Sequence, residues 1–333
     1  MYPAMLLTAG CGTRLRPLTY GRAKPAMPVA GEALVRRVLR WLAAGGVTDV
    51  VLNLHHRPES VRAAVGDTAD LGVRVRYSYE DPILGSAGGP RLALPLLAAD
   101  RFFLVNGDTL TDVDLRALAA DHARSGARVT MALVPNPDPA FYGGVVVDSD
   151  GRVTGLSPRG PTNRGYHFVG TQIVEASVFS GLSRDRPSET VSEVYPRLMA
   201  ERPGSVRAFV CDASFRDIGT PADYLVTSLQ IARLEGGTSR LRGGRSSVDV
   251  RARVIRTVLW DGVTVDAGAD LVDCIVGDDV RVPPGARYRR AAIVRGEHRE
   301  PGPGEELIDQ LLVARFPVKP AHEEVLFDDA EAR

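Results

Sequence analysis

Short apolar runs alternate with amphipathic segments from the N-terminus to Val134, and this alternation constrains the fold more than any other feature. Five runs have the apolar content or the polar alternation of β-strands: residues 4–9, 49–54, 73–79, 102–106 and 128–134. Three segments between them have helical apolar spacing or a proline at the first helical position: residues 32–44, 58–65 and 112–124. The pattern predicts an α/β fold with a Rossmann-like, mixed and mostly parallel sheet flanked by helices.

Residues 140–235 continue this domain with a larger share of strands. The sequence predicts strands at 144–148, 152–156, 166–174 and 205–210, and helices at 189–201 and 221–235. The next segment, 235–247, reads EGGTSRLRGGRSS and contains four glycines and three serines. This composition is typical of a linker, so we predict a domain over residues 1–235 followed by a linker at 236–247.

Apolar residues recur at six-residue spacing after the linker. Two series show this period, with a phase shift between them: Val248, Val254 and Trp260, then Val263, Ala269 and Ile275. Such a period is typical of a β-helix, in which each side of a triangular coil takes about six residues. We therefore predict a short β-helix over residues 248–296, with a small irregular β-hairpin domain as the alternative. Residues 297–333 are a C-terminal extension that ends in an acidic tail.

The balance of charges excludes some partners. The chain carries 41 basic and 41 acidic residues, whereas a protein dedicated to nucleic acid or an anionic membrane normally has a basic excess. Its three cysteines, Cys11, Cys211 and Cys274, form neither a disulfide framework nor a CxxC metal signature. No apolar run approaches the ~18 residues of a transmembrane helix, and residues 4–9 are too short for a signal peptide. We expect a cytoplasmic protein without a nucleic-acid or membrane partner.

A glycine turn with local positive charge follows the first predicted strand. Residues 8–13 read Thr-Ala-Gly-Cys-Gly-Thr, and the backbone N–H groups of such a turn can approach an anion closely. Residues 1–31 contain no acidic residue and four cations: Arg14, Arg16, Arg22 and Lys24. The sequence therefore predicts a binding site for a polyphosphate.

Two common phosphate-binding motifs do not fit this turn. A dinucleotide fingerprint, GxGxxG, leads straight into a helix, but here Leu15 occupies the third glycine position and Pro17 interrupts a helix. A P-loop requires GxxxxGK[ST], whereas Gly12 is followed by Thr13 and Arg14.

Lysine is rare in this chain. Of the 41 basic residues only Lys24 and Lys319 are lysines, which leaves 39 arginines. A compact ammonium on a flexible stem is not interchangeable with a planar guanidinium at a crowded phosphorus atom. The count indicates a functional role for Lys24, against the alternative of an ordinary surface cation.

Two aspartates lie at the ends of predicted elements: Asp108 after an apolar strand, and Asp217 before a helix. Val105-Asn106-Gly107-Asp108 places a carboxylate at the C-terminal end of a strand, where ligands of open α/β sheets bind. Asp217 lies in Phe215-Arg216-Asp217-Ile218-Gly219-Thr220-Pro221, a tight turn before a helix. Either aspartate alone is a weak signal, because aspartate is common in turns and helix caps.

The pattern GxGTRLRPLT at residues 10–19, followed by KPxxPV at 24–29, resembles the signature of the sugar-1-phosphate nucleotidyltransferases, the family that makes NDP-sugars. The resemblance extends over about residues 3–235 and implies the nucleotide-diphospho-sugar transferase fold for a catalytic domain at 1–235. It also implies that the β-helix at 248–296 is left-handed, as in the tail of some members. We expect this tail to form the contact of a homo-oligomer.

The resemblance implies roles for the residues near the phosphates. Five match the turn that holds the triphosphate and the departing pyrophosphate: Ala9, Gly10, Gly12, Thr13 and Arg14. Lys24 matches the lysine that contacts the phosphates at the reacting centre. Asp108 and Asp217 match the two aspartates that bind Mg²⁺, an ion that prefers a few hard oxygen ligands completed by phosphates and water. Arg14, Lys24 and Asp108 are the expected catalytic residues.

The nucleotide base has candidate contacts further along the chain. Residues 84–89, LGSAGG, resemble a family loop that lies against the base and ribose, which implies contacts from Gly85 and Ser86. Glu80 could accept hydrogen bonds from the N1–H and 2-amino groups of guanine; the alternative is an exposed charge at a strand end.

The sugar phosphate site departs from the family pattern. Tyr142-Gly143 matches the pair that brings a backbone amide to the sugar. The family's Glu-Lys-Pro is Ser157-Pro158-Arg159 here, and its Asn-Ala-Gly is Phe168-Val169-Gly170. Gly143, Arg159 and Gly170 are the expected sugar-phosphate contacts, with Arg159 in place of the family's lysine.

The resemblance as a whole implies an enzyme that joins an NTP and a sugar 1-phosphate with Mg²⁺. LNLHHRPE, LGSAGG and NGDTLTD are similar to guanylyltransferases for mannose 1-phosphate or heptose 1-phosphate, so GTP is expected. One alternative is a uridylyltransferase or thymidylyltransferase for another sugar 1-phosphate. Another is a non-catalytic paralogue that binds an NDP-sugar and regulates an active subunit.

Overall fold

The structure, a computed structural model, describes residues 1–160, 162, 164–296 and 299–317. Its tertiary contacts divide the chain into two units. The first comprises Met1–Gly10 and Val35–Arg216, and the second comprises Cys11–Leu34 together with the chain from Asp217 onward. This division differs from the boundary at residue 235 expected from the sequence, because residues 11–34 and the helix after Asp217 pack with the C-terminal part of the chain.

The described residues form seven α-helices. They are α1 (Leu34–Ala44), α2 (Pro58–Val65), α3 (Gly85–Leu97), α4 (Leu115–Ser125), α5 (Ser177–Ser180), α6 (Tyr195–Glu201) and α7 (Pro221–Glu235). A π-helical turn, Thr190–Val194, directly precedes α6. None of these helices has the length and apolar content needed to cross a membrane.

A seven-stranded sheet organises the first unit. In chain order, the strands up to Asp217 are β1 (Ala4–Leu7), β2 (Pro28–Val29), β3 (Glu32–Ala33), β4 (Asp49–Leu54), β5 (Arg74–Tyr79), β6 (Arg101–Asn106), β7 (Thr109–Thr111), β8 (Val129–Val134), β9 (Gly144–Val147), β10 (Val153–Ser157), β11 (His167–Glu175), β12 (Val206–Val210) and β13 (Phe215–Asp217). The sheet has the order β12-β8-β11-β6-β1-β4-β5. β11 is antiparallel to both neighbours, and every other neighbouring pair is parallel. The predicted mixed, mostly parallel sheet is confirmed.

Apolar side chains from the strands form the core of the first unit. Met5, Val51, Phe102, Leu104 and Met131 are each at most 1% exposed. Burial of such side chains supplies the main driving force for packing helices on the sheet. β1 and β6 are neighbours in parallel register, so the segments that follow them leave the sheet at the same edge.

Several element boundaries follow from local signals. β4 and α2 have the predicted bounds; Pro58 begins α2, and Gly66, with a φ of +57°, ends it. α1 begins two residues later than predicted, because residues 32 and 33 form β3. α4 also begins later, since the Asp114 side chain caps it by accepting hydrogen bonds from the N–H groups of residues 116 and 117.

The sequence prediction missed α3 and was wrong in treating residues 84–89 as a loop. Pro90 and Pro95 lie inside α3, and Gly88 lies in its first turns; both residue types disfavour a helix interior. Close packing explains the glycine: a Cβ on Gly88 would be 2.9 Å from Leu84 Cβ and 3.2 Å from Arg186 O. Tertiary contacts therefore override the local propensity.

Parallel strands in the second unit repeat at a constant offset in sequence, since Ser247 pairs with Thr264 and Thr264 pairs with Arg281. They are β14 (Ser247–Val248), β15 (Arg253–Ile255), β16 (Val258–Leu259), β17 (Thr264–Val265), β18 (Asp270–Val272), β19 (Ile275–Val276), β20 (Arg281–Val282), β21 (Arg287–Arg289) and β22 (Ala291–Arg295). Every third strand pairs in parallel, which gives three sheets. We call residues 247–295 the repeat region.

The constant offset explains the phase shift seen in the sequence. Val248 pairs with Val265, and Val254 with Leu271, while Leu259 pairs with Val276. The spacing between successive inner residues is thus six residues along two sides of each repeat and five along the third. Leu259 rather than Trp260 occupies the third inner position, which corrects the predicted series. Trp260 is buried elsewhere, and its Nε1 donates to the Tyr224 hydroxyl at 2.9 Å.

The repeat region is extended at both ends. In the predicted linker at 236–247, Leu241 is buried and Gly243 N donates to Leu259 O at 2.7 Å. This segment is therefore packed against the repeat region instead of forming a free linker. At the other end, β23 (Glu305–Ile308) and β24 (Leu311–Arg315) form an antiparallel hairpin beside β22. The acidic tail, residues 323–333, lies outside the described residues.

Truncation of an inner side chain should destabilise the repeat region. Leu271 is 0% exposed and pairs with Val254 and Tyr288. Leu271→Ala leaves a cavity, so we expect a loss of about 2–5 kcal/mol in the free energy of unfolding of the second unit. Val250 is 98% exposed, and Val250→Ala should cost less than about 0.5 kcal/mol. Calorimetry of both full-length variants measures the effect; an unchanged transition for Leu271→Ala would contradict the inward position.

Candidate active site

The glycine turn after β1 passes from the first unit to the second between Gly10 and Cys11. Gly12 has a φ of +59°, a conformation that favours glycine. A Cβ there would lie 2.8 Å from Thr19 Cγ2, and the Thr19 hydroxyl donates to Gly12 O at 3.0 Å. An added Cβ on Gly10 would have no atom within 4 Å. The turn therefore requires glycine at position 12, but not at position 10.

Arg14 and two aspartates surround Gly219 in the second unit. A Cβ on Gly219 would lie 3.3 Å from Arg14 Nη1, 3.3 Å from Asp223 Oδ2 and 3.4 Å from Asp217 Oδ2. The structure thus brings together two residues selected from the sequence, Arg14 and Asp217, and adds Asp223. A guanidinium binds phosphates, and carboxylates bind divalent cations. The cluster has the groups needed to hold a metal-bound polyphosphate.

Asp223 is a residue of this cluster that the sequence analysis missed. The Thr220 hydroxyl accepts a hydrogen bond from Asp223 N at 3.2 Å and donates to Asp223 Oδ2 at 2.7 Å. Pro221 occupies the first position of α7, where its missing N–H is not needed. Thr220-Pro221 followed by Asp223 is a helix-start pattern that the sequence displays. This pattern could have identified the Asp223 carboxylate as one that is held by a helix cap close to Asp217.

The four cations of residues 1–31 have different surroundings. Arg22 donates to Asp261 and Asp278 over 2.6 to 2.7 Å. Arg16 lies over the Tyr20 ring, with 5.4 Å between its Cζ and the ring centroid. Lys24 is 8% exposed and is therefore not an ordinary surface cation. Arg14 and Lys24 stay the candidates for phosphate contact.

A cavity of about 510 Å³ lies beside Arg14 in the second unit. Its walls come from the glycine turn, the start of α7 and the C-terminal hairpin: residues 13, 14, 16 and 20, then 220–222, then 302–305 and 314–317. This volume is within the range of small-molecule sites. Chain segments far apart in sequence thus line an open cavity next to Arg14.

Asp108 follows β6 at the carboxyl edge of the central sheet in the first unit. Asn106, the last residue of β6, is in register with Leu7 of β1. Gly107 N donates to Leu7 O at 3.0 Å, and a Cβ on Gly107 would lie 2.5 Å from the same oxygen. This close approach requires glycine at position 107. It fixes the backbone before Asp108 at the edge where ligands of such sheets bind.

Glu80 is buried and hydrogen-bonded within the first unit. Its Oε1 accepts from Asn53 Nδ2 at 2.7 Å, and its Oε2 accepts from Leu84 N at 2.8 Å. Asn53 Oδ1 in turn accepts from Thr8 N at 2.6 Å. Glu80 is 4% exposed, so the alternative of an exposed charge at a strand end is wrong. The carboxylate connects the segment after β1, through Asn53, to the start of α3.

Gly85 and Ser86 lie in the first turn of α3 and contact residues 186–190. A Cβ on Gly85, whose φ is +77°, would lie 2.7 Å from Ser188 O. Ser86 donates to Glu189 Oε2 from its N–H at 3.2 Å and from its hydroxyl at 2.5 Å. A carboxylate at this position stabilises the positive end of the helix. These donors already have protein partners, unlike those of the open loop expected from the sequence.

Two of the expected sugar-phosphate residues lie at one end of the β9–β10 hairpin. Gly144 pairs with Ser157, and a Cβ on Gly143 would lie 3.2 Å from Ser157 O. Arg159 follows two residues later and is exposed. Gly170, with a φ of +75°, lies elsewhere, in β11; its Cβ would be 2.7 Å from Asn106 Nδ2. Gly170 is thus next to the strand that precedes Asp108.

A stack of aromatic rings lies next to Gly143. The His167 ring is 4.3 Å from that of Tyr142 and 4.4 Å from that of Phe215, centroid to centroid. Burial lowers the pKa of His167 to about 4, so the imidazole is neutral at pH 7. No sequence motif predicts this stack, because its members come from three separate segments. The stack fixes Tyr142 beside the glycine expected to contact the sugar.

Comparison with known proteins decides the family. Residues 3–233 match the family described as Nucleotidyl transferase. The chain belongs to the nucleotidyl transferase family. This nucleotidyl transferase is 32% identical over 303 residues to mannose-1-phosphate guanylyltransferase of Mycobacterium tuberculosis, an alignment covering 90% of this chain and 81% of that protein.

Two further relatives of the nucleotidyl transferase show how far the likeness extends. Probable mannose-1-phosphate guanylyltransferase 2 of rice, Oryza sativa subsp. japonica, is 29% identical over 315 residues, 89% of this chain and 82% of that protein. The crystal structure of HddC from Yersinia pseudotuberculosis complexed with GMP-PN is 25% identical, with a TM-score of 0.61. The structural match covers 69% of this chain and 100% of HddC.

The carboxylates of this nucleotidyl transferase suit a hard metal ion whose shell is completed by other ligands. Across the described ranges, no three His, Cys, Asp or Glu side chains form a group that could hold a metal ion. Asp217 Oδ2 and Asp223 Oδ2 nevertheless lie near each other, 3.4 and 3.3 Å from the position that a Cβ on Gly219 would occupy, and Arg14 Nη1 lies 3.3 Å from the same position. Two carboxylates with phosphates and water match the preference of Mg²⁺.

Substitution of Gly107 should disturb the edge of the central sheet. In Gly107→Ala the added methyl group meets Leu7 O at 2.5 Å and Thr8 Cγ2 at 2.8 Å, which should lower stability by about 1–3 kcal/mol. Gly10→Ala is the matched control, since its Cβ meets nothing within 4 Å; its melting temperature should equal that of the wild type. Calorimetry distinguishes the two, and equal melting temperatures for both variants would show that the close approach is not required.

Proposed function

We propose that this nucleotidyl transferase transfers GMP from GTP to a sugar 1-phosphate, mannose 1-phosphate or a heptose 1-phosphate, and releases pyrophosphate. The length of one alignment carries the proposal. The match to the M. tuberculosis guanylyltransferase covers 90% of this chain, whereas the family match ends at residue 233. The likeness therefore includes the repeat region as well as the segment common to the family.

Guanine is the proposed base. The relatives named above are guanylyltransferases by name, and the HddC structure is complexed with GMP-PN. Glu80 gives this choice little support, because its two oxygens already accept hydrogen bonds from Asn53 and Leu84. A contact from Glu80 to guanine would have to share one of these oxygens.

In the proposed reaction, an oxygen of the sugar phosphate attacks the α-phosphorus of GTP in line. The new O–P bond forms as the bond between the α-phosphorus and the bridging oxygen breaks. The electron pair of that bond leaves with pyrophosphate. Because no covalent enzyme intermediate is needed, the protein contributes positioning and neutralisation of charge.

Arg14 and Lys24 are proposed to offset charge on the pyrophosphate and at the reacting centre. The place of Arg14 beside Asp217 supports its part, and the burial of Lys24 supports a specific use of its ammonium. Backbone N–H groups of the turn, from Ala9 and Gly10 through Gly12 and Thr13, are proposed to bind phosphate oxygens. Gly85 and Ser86 are proposed to pack against the nucleoside.

Mg²⁺ is the proposed cofactor, with Asp108 and Asp217 as its protein ligands. When bound, Mg²⁺ neutralises and orients the phosphates of the nucleotide. The resemblance of the two aspartate motifs to those of the family supports the assignment. Asp223, held by Thr220, is proposed to supply a further carboxylate for the ion on the side of Asp217.

The sugar phosphate is proposed to bind at Gly143, Arg159 and Gly170. The position of Arg159 on the hairpin end that carries Gly143 supports its use as the phosphate-binding cation. A guanidinium can bind a phosphate through two parallel hydrogen bonds, which the family's lysine cannot do. The substitution is thus compatible with a phosphate site of altered geometry.

The repeat region is proposed to be a left-handed β-helix that forms the contact of a homo-oligomer, attached to a catalytic domain at 1–235. Its three parallel sheets and the constant offset of their strands support a three-sided coil. We also infer a cytoplasmic location, which is supported by the free thiols of Cys11, Cys211 and Cys274.

Turnover by the purified full-length protein tests the proposal. With Mg²⁺, GTP and mannose 1-phosphate should give GDP-mannose and pyrophosphate, with kcat/KM at least about tenfold above that for UTP or dTTP. Asp108→Asn should lower kcat at least ~100-fold. Asp121→Asn, a surface carboxylate on α4 paired with Arg124, is the control and should stay active. No turnover with any NTP and either sugar phosphate, together with tight NDP-sugar binding, would indicate the non-catalytic paralogue.

Replacement of Lys24 by arginine should also abolish turnover. Lys24 is 8% exposed, so a larger planar guanidinium lacks space and cannot reproduce a point charge. We expect Lys24→Arg to lower kcat at least ~100-fold. The chain's other lysine supplies the control, and Lys319→Arg should have the kcat of the wild type. Full activity of Lys24→Arg would contradict the role assigned to the ammonium.

A further inference from the structure

Arg22 is held by the repeat region of its own unit. Its Nε and Nη2 donate to the two carboxylate oxygens of Asp278 at 2.6 and 2.7 Å, and Nη2 also donates to Asp261 at 2.6 Å. The Trp260 ring lies 5.4 Å from its Cζ, within the range of a cation–π interaction. A bidentate ion pair fixes the orientation of a guanidinium as well as its position.

The two aspartates occupy equivalent places in successive repeats. Asp261 and Asp278 each lie two residues after a member of the Leu259–Val276 pair. Asp261 N also donates to Asp278 Oδ1 at 3.2 Å, which ties the carboxylate to the backbone of the repeat region. Two neighbouring carboxylates repel each other unless a cation lies between them. Arg22 supplies that cation.

This arrangement makes Arg22 unsuited to bind the nucleotide. One guanidinium faces two carboxylates, so the local net charge is negative and does not attract a polyphosphate. The side chain is also only 24% exposed. Arg22 can therefore affect the reaction only indirectly, by fixing the backbone of its own segment. Lys24 lies two residues further along that segment.

The segment that contains Arg22 and Lys24 has a second anchor at Pro28, just after Lys24. The Tyr224 hydroxyl, on α7, donates to Pro28 O and accepts from Trp260 Nε1 at 2.9 Å. Trp260 thus contacts both anchors, Arg22 through its ring and Tyr224 through its N–H. Both Tyr224 and Trp260 are at most 1% exposed.

The backbone between the two anchors forms a tight turn. Met27 N donates to Lys24 O at 3.1 Å, and Ala26 N donates to Ala23 O at 2.9 Å. Lys24, Pro25, Ala26 and Met27 are all buried. A short turn that is fixed at both ends leaves the Lys24 backbone little freedom.

We propose that Arg22 is a positioning residue for Lys24, and that the repeat region orients this lysine through Asp261, Asp278 and Trp260. The inference rests on the proposed function, since it takes Lys24 as the group that meets the substrate phosphates. A displacement of about 1 Å at a reacting centre can cost ~100-fold in rate. The repeat region therefore helps to position a catalytic lysine of the same chain, in addition to any contact that it makes between subunits.

A double-mutant cycle at positions 22 and 24 tests this inference in the full-length protein. Arg22→Gln should lower kcat for GTP and mannose 1-phosphate at least about tenfold. In the Lys24→Ala background, assayed at high enzyme concentration, the same change should alter the residual kcat by less than about twofold, because a residue that acts only through Lys24 has no effect once the lysine is gone.

Two further variants complete the design. Arg281→Gln breaks an ion pair on the same repeat region, 2.7 Å from Arg281 Nε to Asp266 Oδ2, and should keep the wild-type kcat. Asp261→Asn weakens one of the three hydrogen bonds of Arg22 and is usable if Arg22→Gln does not fold. It should lower kcat about threefold, again only when Lys24 is present.

The outcomes separate this inference from the function on which it rests. An unchanged kcat in a folded Arg22→Gln variant, or equal fold losses with and without Lys24, would overturn the positioning role alone. If only Asp261→Asn folds, equal losses in both backgrounds would have the same meaning. Wild-type kcat in Lys24→Ala would instead overturn the role of Lys24 in the proposed function, and the inference with it.

Discussion

The ion pairs of Arg22 with Asp261 and Asp278 hold the N-terminal segment in the second unit. Together with the hydrogen bond from Tyr224 to Pro28 O, they join residues 11–34 to the C-terminal part of the chain, with which these residues form one unit. Charged pairs that are partly removed from water add little net stability, because desolvation offsets their attraction. Loss of one partner is nevertheless costly, since it leaves charge uncompensated. Their main effect is to specify which segment packs here and in what orientation.

Contacts between residues far apart in sequence are also the features of this fold that could not be predicted from the sequence. β4 and α2 have the predicted bounds because hydrophobic pattern, Pro58 and Gly66 are all local signals. α3 is not predicted because its glycines and prolines oppose a helix, and tertiary packing, which includes the close approach of residues 186–189 to Gly85 and Gly88 and of Glu80 to Gly89, offsets that preference. The six-residue period was visible in the sequence, yet one side of each repeat is shorter than the other two. Trp260 was misplaced because this short side shifts the inner position to Leu259.

The candidate site shows a similar division. Arg14 and Asp217 were selected from motifs, and the structure brings both to Gly219. Asp223 could have been found from the capping pattern that begins at Thr220. The hydrogen bond from Asn53 to Glu80 could not, because Asn53 lies on β4, Glu80 directly follows β5, and the two come together only when these strands pair. Sequence motifs thus identified two residues that lie together, Arg14 and Asp217, but not the hydrogen-bond partners of a carboxylate such as Glu80.

The contrast between arginine and lysine in this chain becomes clearer at residues 22 and 24. Arg22 uses what only a guanidinium has, a planar fork that donates to both oxygens of Asp278 while its face covers Trp260. A lysine could not make all three contacts at once. Lys24 is buried two residues away on a turn fixed by those contacts. A rigid support is of use only if the supported group must be placed accurately, and a small ammonium on a fixed backbone meets that need. The two cations are thus complementary, because one fixes the chain and the other is held in place by it.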